Sequence, residues 1–169
     1  MQVLAFHRIA LLNHNHESDC TEDNARASHQ ASAASFPSPG FHALMLLFQT
    51  KDLFFVPVVK SAAAAQGVEL ATVLNCDSPK VETLDAALIR ICLVDLSSVP
   101  VSKIEETAAS YRARFPAAEL IGFGPHVQTQ RLEAARAAGF DHVLSRGQLD
   151  HQLADLLPVW RAEADAKAS

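Results

Sequence analysis

The sequence lacks the short motifs that mark most phosphate-binding, hydrolytic and metal-dependent enzymes. Its six glycines form no GxxxxGK[ST] phosphate loop, no GxGxxG turn and no GxSxG nucleophile elbow. No HExxH pair is present, and the three cysteines, Cys20, Cys76 and Cys92, share no motif spacing. Because these absences remove the commonest catalytic classes, we expect that the protein is not an enzyme.

Positive charge and long apolar runs are also scarce. The net charge is −5 at pH 7, whereas a nucleic-acid-binding surface needs a basic face, so we expect no nucleic-acid partner. No segment approaches the roughly 18 apolar residues that a membrane span requires. The apolar start MQVLAFHRIALL is interrupted by His7 and Arg8, so we expect neither a signal peptide nor a membrane contact. Cys76 and Cys92 read as buried free thiols, which favours a cytoplasmic location.

Residues 1–41 differ in composition from the rest of the chain. After Leu12 they are rich in Asn, Ser, Ala, His and acids, with almost no large apolar side chain. Such a segment cannot bury enough surface to offset its ordering entropy, so we predict a disordered N-terminal tail. His14, His16 and Cys20 could ligate a metal, but strong zinc sites use paired ligands, which favours a solvated tail.

Residues 42–162 predict five strand–helix units with short connections, followed by a C-terminal tail at residues 163–169. Gly67, Pro116 and Gly139 end three of the helices, and Pro158 should kink or break the last one. Asp52 is a predicted N-cap, Ser78 precedes a Pro at a helix start, and Ser102 begins a capping box. The strands are predicted at residues 43–50, 68–74, 91–96, 119–123 and 141–145, and the helices at about 53–66, 79–88, 103–114, 129–138 and 149–162.

This alternation predicts a flavodoxin-like, doubly wound α/β fold. We expect one five-stranded parallel sheet of order 2-1-3-4-5 with helices on both faces. Its third strand lies in the stretch RICLVDLSS, which is apolar at nearly every position and ends in Asp95. Functional sites of open α/β sheets lie at the carboxyl ends of the strands, so Asp95 is the first candidate site residue.

Four stretches give this pattern a family resemblance. They are VDLSS with Asp95, the segment ARAAGFDHVLSRG, the strand ELIGFG, and QTKDLFF at the end of the first strand. Together they resemble a bacterial response-regulator receiver domain of the CheY-like superfamily, over roughly residues 43–160. The resemblance implies a two-component signalling role, with Asp95 as the phosphoacceptor.

The resemblance also shows where this chain departs from the family. In receivers, two acids at the end of the first strand hold Mg²⁺ with the phosphoacceptor, but here Thr50 and Lys51 occupy those positions. Asp52 follows them, and magnesium would bind only if Asp52 and Asp95 both coordinated it. Gly124 replaces the usual Ser or Thr of the fourth strand, and Arg146 replaces the usual Lys of the fifth.

We therefore expect a pocket of Thr50, Lys51, Asp52, Gly124 and Arg146 around Asp95, with no catalytic residue, metal or cofactor. Asp95 is either a phosphoacceptor or a strand-end carboxylate that pairs with Lys51 or Arg146 or caps the following loop.

Three functions remain open at this point. The leading hypothesis is a divergent pseudo-receiver that contacts a protein partner, a signalling kinase or an effector, without efficient phosphorylation. The alternatives are a conventional receiver phosphorylated on Asp95 by a histidine kinase, and a small flavodoxin-like enzyme or anion-binding protein that uses Lys51, Arg146 and the loop after Gly124. We expect no DNA-binding output domain, and the oligomeric state stays open.

Overall fold

Five parallel strands form one sheet within residues 44–168, the part of the chain that the computed structural model describes. The strand order is β2-β1-β3-β4-β5, which confirms the predicted topology. The strands are β1 Met45–Gln49, β2 Glu69–Val73, β3 Ile89–Asp95, β4 Glu119–Gly124 and β5 His142–Ser145. The predicted N-terminal tail, residues 1–41, lies outside the described residues.

Helices cover both faces of this sheet. They are α1 Val56–Ala65, α2 Pro79–Glu82, α3 Ile104–Arg114, α4 Thr129–Ala137 and α5 Arg146–Ala168. Because successive strand residues point to opposite faces, Cys92 and Leu93 enter two different apolar clusters. One cluster lies under α1 and α5, and the other lies under α2, α3 and α4. The central strand β3 is buried on both sides, which explains why it reads as a nearly continuous apolar run.

The start of α1 differs from the prediction. The helix begins at Val56 with Phe55 at its N-cap position, and no side chain caps it. Asp52 lies four residues before the helix, and its Oδ1 accepts a hydrogen bond of 3.0 Å from the Phe54 N–H. The predicted N-cap role of Asp52 is therefore wrong, because this carboxylate organises a turn ahead of the helix. Pro57 does lie in the first turn, as expected.

Two other helices also differ from the prediction at their starts. The helix predicted at residues 79–88 ends at Glu82, and Ser78 makes no side-chain cap. The predicted capping box at Ser102 does not form, because Val101–Lys103 is a 3₁₀ turn and α3 begins only at Ile104. In that turn the Lys103 N–H donates to the Pro100 carbonyl over 2.9 Å, so the turn opens before Ser102.

The last helix is longer than predicted. It continues through Pro158, where a kink or break was expected, and reaches Ala168. Pro158 is exposed, while a buried stripe of Leu149, Leu153, Leu157, Trp160 and Ala164 holds the helix on the sheet before and after it. Residues 163–168, predicted as a tail, thus belong to the domain. No helix between residues 44 and 168 combines the length and the apolarity needed to cross a bilayer.

Candidate functional site

Asp95 lies at the carboxyl end of β3 and is only 2 % exposed. Its Oδ2 accepts hydrogen bonds of 2.9 Å from both the Thr50 and the Ser98 hydroxyls. Its Oδ1 accepts a 3.0 Å bond from the Ser97 N–H and a further bond from the Ser97 hydroxyl. A carboxylate offers about four acceptor positions, so the donors around Asp95 come close to satisfying it.

Strand register and local turn chemistry bring these donors to Asp95. In the β1–β3 ladder Gln49 lies opposite Val94, so Thr50 falls beside Asp95 at the carboxyl edge of the sheet. Leu96–Ser98 then forms a 3₁₀ turn that the Asp95 side chain caps through the Ser97 N–H. Short polar side chains after an Asp favour such local bonds to the backbone.

Ser97 and Ser98 are the site residues that sequence reasoning missed. They directly follow the candidate phosphoacceptor in VDLSS, so the signal was present in the sequence. The two serines favour the interpretation in which Asp95 caps the loop that follows it. The structure shows this cap, because the Asp95 side chain accepts a hydrogen bond from the Ser97 N–H.

The predicted ion pairs of Asp95 with Lys51 or Arg146 are not formed. Lys51 is exposed, and its backbone N–H donates to the Ser98 hydroxyl over 3.0 Å. Arg146 binds Asp52 instead, with 2.5 Å between Nη2 and Oδ2. Within residues 44–168, therefore, the Asp95 carboxylate is stabilised by hydrogen bonds from hydroxyl and amide groups, and no cation lies within salt-bridge distance of it.

The Asp52–Arg146 pair forms a second cluster at the same edge of the sheet. The Arg146 guanidinium carbon lies 5.0 Å from the centroid of the Phe55 ring, which is within the range of a cation–π contact. The hydrogen bond from Arg146 lowers the pKa of the Asp52 carboxyl. Burial opposes this shift more weakly, and the Phe54 N–H reinforces it. The pair joins the β1–α1 loop to the start of α5.

Gly124 ends β4 beside the site and contributes no side chain. A Cβ added there would lie 3.7 Å from Leu96 Cβ and 3.8 Å from Leu132 Cδ2, which is ordinary contact. A Ser at this position would therefore begin without a clash. Gly122 differs, since a Cβ there would come within 3.0 Å of Phe140 Cδ1. Packing thus requires a small residue at Gly122, whereas at Gly124 it leaves room for a hydroxyl that this chain does not have.

Two pockets flank the site. One of about 170 Å³ is lined by Lys51, Asn75, Ser98, Lys103 and neighbouring residues, and it lies on the α3 side of Asp95. A more open one of about 450 Å³ is lined by Phe55, Pro125, His126, Arg146, Gly147 and Asp150. Neither lining includes Asp95, because the Ser97 and Ser98 turn and Thr50 cover its carboxylate.

Comparison with known proteins gives the same fold at low sequence identity. No protein-family model matches the chain, and no curated protein matches it. A response regulator from Thermotoga maritima is 14 % identical, with 71 % of this chain and 98 % of that chain covered and a TM-score of 0.55. A CheY-like receiver domain protein from Methanospirillum hungatei is 16 % identical, with coverages of 74 % and 96 % and a TM-score of 0.56.

A third similar structure is the receiver domain of an HD domain-containing protein from Pseudomonas fluorescens. It is 8 % identical, with 76 % of this chain and 93 % of that chain covered and a TM-score of 0.61. At such identities the likeness concerns the fold alone. Residues 44–168 have the receiver-like, flavodoxin-like fold that the sequence predicted.

Proposed function

We propose that this protein is a pseudo-receiver, a signalling module that binds a protein partner without efficient magnesium-dependent phosphorylation of Asp95. The observation that carries the proposal is the closed environment of Asp95, whose carboxylate accepts hydrogen bonds from Thr50, Ser97 and Ser98. An acceptor of a phosphoryl group must present one oxygen to the incoming phosphorus in line with the leaving group. Here that oxygen would first have to lose its present donors.

The surroundings of Asp95 also argue against a magnesium site. Mg²⁺ needs oxygen ligands in near-ideal octahedral geometry, and it usually takes them from one or two carboxylates. Lys51 has no oxygen to offer from its side chain, and Asp52 is held by Arg146 at 2.5 Å. Thr50 offers a hydroxyl, but that hydroxyl already donates to Asp95 and accepts from the Asp52 N–H over 2.9 Å. We therefore infer that the pocket works without magnesium and without a catalytic residue.

The hydrogen-bond network suggests how such a module works. Thr50 and the Lys51 N–H connect the start of the β1–α1 loop to Asp95 at the end of β3 and to Ser98 in the turn that follows. In a responsive receiver, phosphorylation shifts a two-state equilibrium and changes a distant surface. In this chain the same loops are connected by hydrogen bonds that need no phosphoryl group. We infer that one conformation is held for a cytoplasmic partner, a kinase or an effector of a signalling pathway.

Anion binding is the weaker alternative. It needs spare positive charge beside Asp95, but Arg146 is engaged with Asp52. Lys51 is exposed and lies next to the smaller pocket, where Lys103 pairs with Glu106 at 2.5 Å. Lys51 is then the only cation in the lining of the smaller pocket without an ion pair in the described part of the chain, so the positive charge available for an anion is small.

The decisive experiment is a thermal-stability measurement with Mg²⁺ and beryllofluoride, which imitates an acyl phosphate. We expect that adding Mg²⁺ and beryllofluoride changes neither the Tm of the wild type nor the Tm of Asp95→Asn. A wild-type stabilisation that Asp95→Asn abolishes would show a working phosphoacceptor and overturn the proposal. Asp150→Asn is the matched control, since it removes an exposed carboxylate near the same edge of the sheet without touching the Asp95 network.

A further inference from the structure

A second polar cluster lies at the opposite, amino end of the sheet. Glu119 is the first residue of β4 and His142 is the first of β5. Ile121 lies opposite His142 in the ladder, and Glu119 shares the face of Ile121 because it is two residues away. Glu163 reaches the same place from the C-terminal half of α5. Phe123 lies beside Asp95, so about 13 Å of strand separates this cluster from the candidate site.

Three side-chain atoms of this cluster face one another. His142 Nε2 lies 3.0 Å from Glu163 Oε2 and 3.8 Å from Glu119 Oε2. The three atoms all lie within 4.8 Å of each other. A tetrahedral zinc ion with bonds of about 2.0–2.2 Å holds its ligand atoms about 3.3–3.6 Å apart. Side-chain shifts below about 1 Å would bring the three atoms to that spacing.

The charges around these atoms leave a negative excess. Lys167 binds Glu119 Oε1 at 2.7 Å and Asp141 Oδ1 at 3.1 Å, and Arg112 binds Asp141 Oδ2 at 2.6 Å. Among residues 44–168, the carboxylates of Glu119, Asp141 and Glu163 thus pair with two permanent cations, Lys167 and Arg112, which leaves one negative charge when the imidazole is neutral. A negative charge on Glu119 has the largest desolvation cost of the three, because the Glu119 side chain is only 3 % exposed.

Lys167 does not occupy the position that a metal would need. It contacts Oε1 of Glu119, whereas Oε2 is the oxygen that points toward His142. Glu119 can therefore bridge the lysine and a metal ion with its two oxygens. The imidazole of His142 is steadied by Trp160, whose ring centroid lies 5.8 Å from its own.

We propose that Glu119 Oε2, His142 Nε2 and Glu163 Oε2 form a zinc-binding site at the amino end of the sheet. One imidazole nitrogen with two carboxylate oxygens suits Zn²⁺, whereas Mg²⁺ and Ca²⁺ prefer oxygen ligands throughout. The side chains of His142 and Glu163 are 34 % and 44 % exposed, so a fourth ligand can come from solvent. The bound ion would tie the end of α5 to the starts of β4 and β5.

Zinc binding is measured on the full chain in an H14Q/H16Q/C20S background, which removes the closely spaced His and Cys side chains of the N-terminal segment. We expect one equivalent of Zn²⁺ to bind. At about 100 times the Kd it should raise the Tm by roughly 5–10 °C. Magnesium at the same concentration should leave the Tm unchanged. The visible spectrum of the cobalt-loaded protein should show the strong bands of a tetrahedral site.

Two ligand variants decide the outcome. H142Q and E163Q should each weaken zinc binding at least about tenfold and abolish the cobalt bands. H151Q, which removes an exposed histidine elsewhere on α5, should change neither. Zinc binding that is unaltered in both ligand variants, or an absence of saturable binding in the background protein, would overturn the proposal. If H142Q fails to fold, E163Q decides alone, because Glu163 lies on the surface.

Discussion

Thr50 is the residue on which the arrangement around Asp95 depends. It is completely buried, and its hydroxyl donates to Asp95 and accepts from the Asp52 N–H. Thr50→Val keeps the shape but leaves the Asp52 N–H without its partner and removes one donor from Asp95. We expect a loss of about 1–3 kcal/mol in the free energy of unfolding, measured by urea denaturation.

Thr50→Ser is the matched control for this prediction, because it retains the hydroxyl and removes only a methyl group. Its loss should be about 1 kcal/mol, the typical value for one buried carbon. Equal losses in the two variants would mean that the methyl group, and not the hydrogen bonds, makes Thr50 important.

Asp52 gives a prediction about pH. Its folded-state pKa is lowered by Arg146, so the pair contributes stability above the unfolded pKa, near 3.8. That contribution is lost as the pH falls through the lower folded value. Titration of the Asp52 carboxyl carbon by NMR should give a pKa below 3.8, and Arg146→Met should move it back upward. A pKa that does not respond to Arg146→Met would show that the pair does not persist in solution.

The position of Thr50 was predictable, but the partners of the charged residues were not. Counting back from Gly67 on the receiver pattern put Thr50 at the end of the first strand, and the register of β1 against β3 places it beside Asp95. Whether Arg146 pairs with Asp52 or with Asp95 depends on how well each carboxylate is solvated in the fold, and the sequence does not show this. Pairing with the more exposed Asp52 lets the guanidinium stay partly hydrated, whereas Asp95 lies behind its hydroxyl donors.

Among the secondary-structure elements, α5 departs most from its sequence pattern. Pro158 removes one backbone hydrogen bond and crowds the preceding turn, yet the helix continues because its buried stripe holds it to the sheet. Since Pro158 is exposed, Pro158→Ala should relieve this strain without loss of packing. We expect a stabilisation of about 1–3 kcal/mol in chemical denaturation.

Val159→Ala is the control for this experiment, because it alters the neighbouring residue, which is also exposed. It should change the free energy of unfolding by less than about 0.5 kcal/mol. A destabilised Pro158→Ala variant would indicate that the proline acts chiefly by restricting the unfolded chain.

The short α2 shows why helix ends are harder to predict than strands. Propensity alone allows a helix up to Leu88, since the stretch is rich in Ala and Leu. In the fold, however, the Leu88 carbonyl accepts from the Met45 N–H over 2.8 Å, and β3 begins at the next residue. This contact joins residues far apart in sequence, so local patterns could not reveal it. The strands were easier to predict because each has a short, mainly apolar stretch at its centre.

For the molecule as a whole, the two-sided sheet was the most predictable feature. Strand–helix alternation implies parallel strands, and right-handed crossovers then leave few strand orders. The separation of the interior into two clusters agrees with the alternation of side chains along β3, because Ile91 and Leu93 enter one cluster while Cys92 and Val94 enter the other. What the pattern could not supply is which side chains touch within each layer.

This separation into layers predicts how core mutations combine. Ile91 lies in the cluster under α1 and α5, and Ile104 lies in the cluster under α3. Ile91→Val and Ile104→Val should each cost about 0.5–1.5 kcal/mol, and the double variant should lose their sum to within about 0.5 kcal/mol. The sheet separates the two sites, so neither deletion changes the contacts of the other.

Phe55 and Phe123 provide the matched pair within one layer. Their ring centroids are 5.4 Å apart, and both rings also approach Phe48. Phe55→Leu and Phe123→Leu should therefore be non-additive by about 0.5–1.5 kcal/mol, because the first substitution already removes the ring contact that the second would lose. Urea denaturation of all six variants measures both cycles. Coupling across the layers as large as that within one layer would mean that the sheet transmits packing changes and that the two clusters act as a single core.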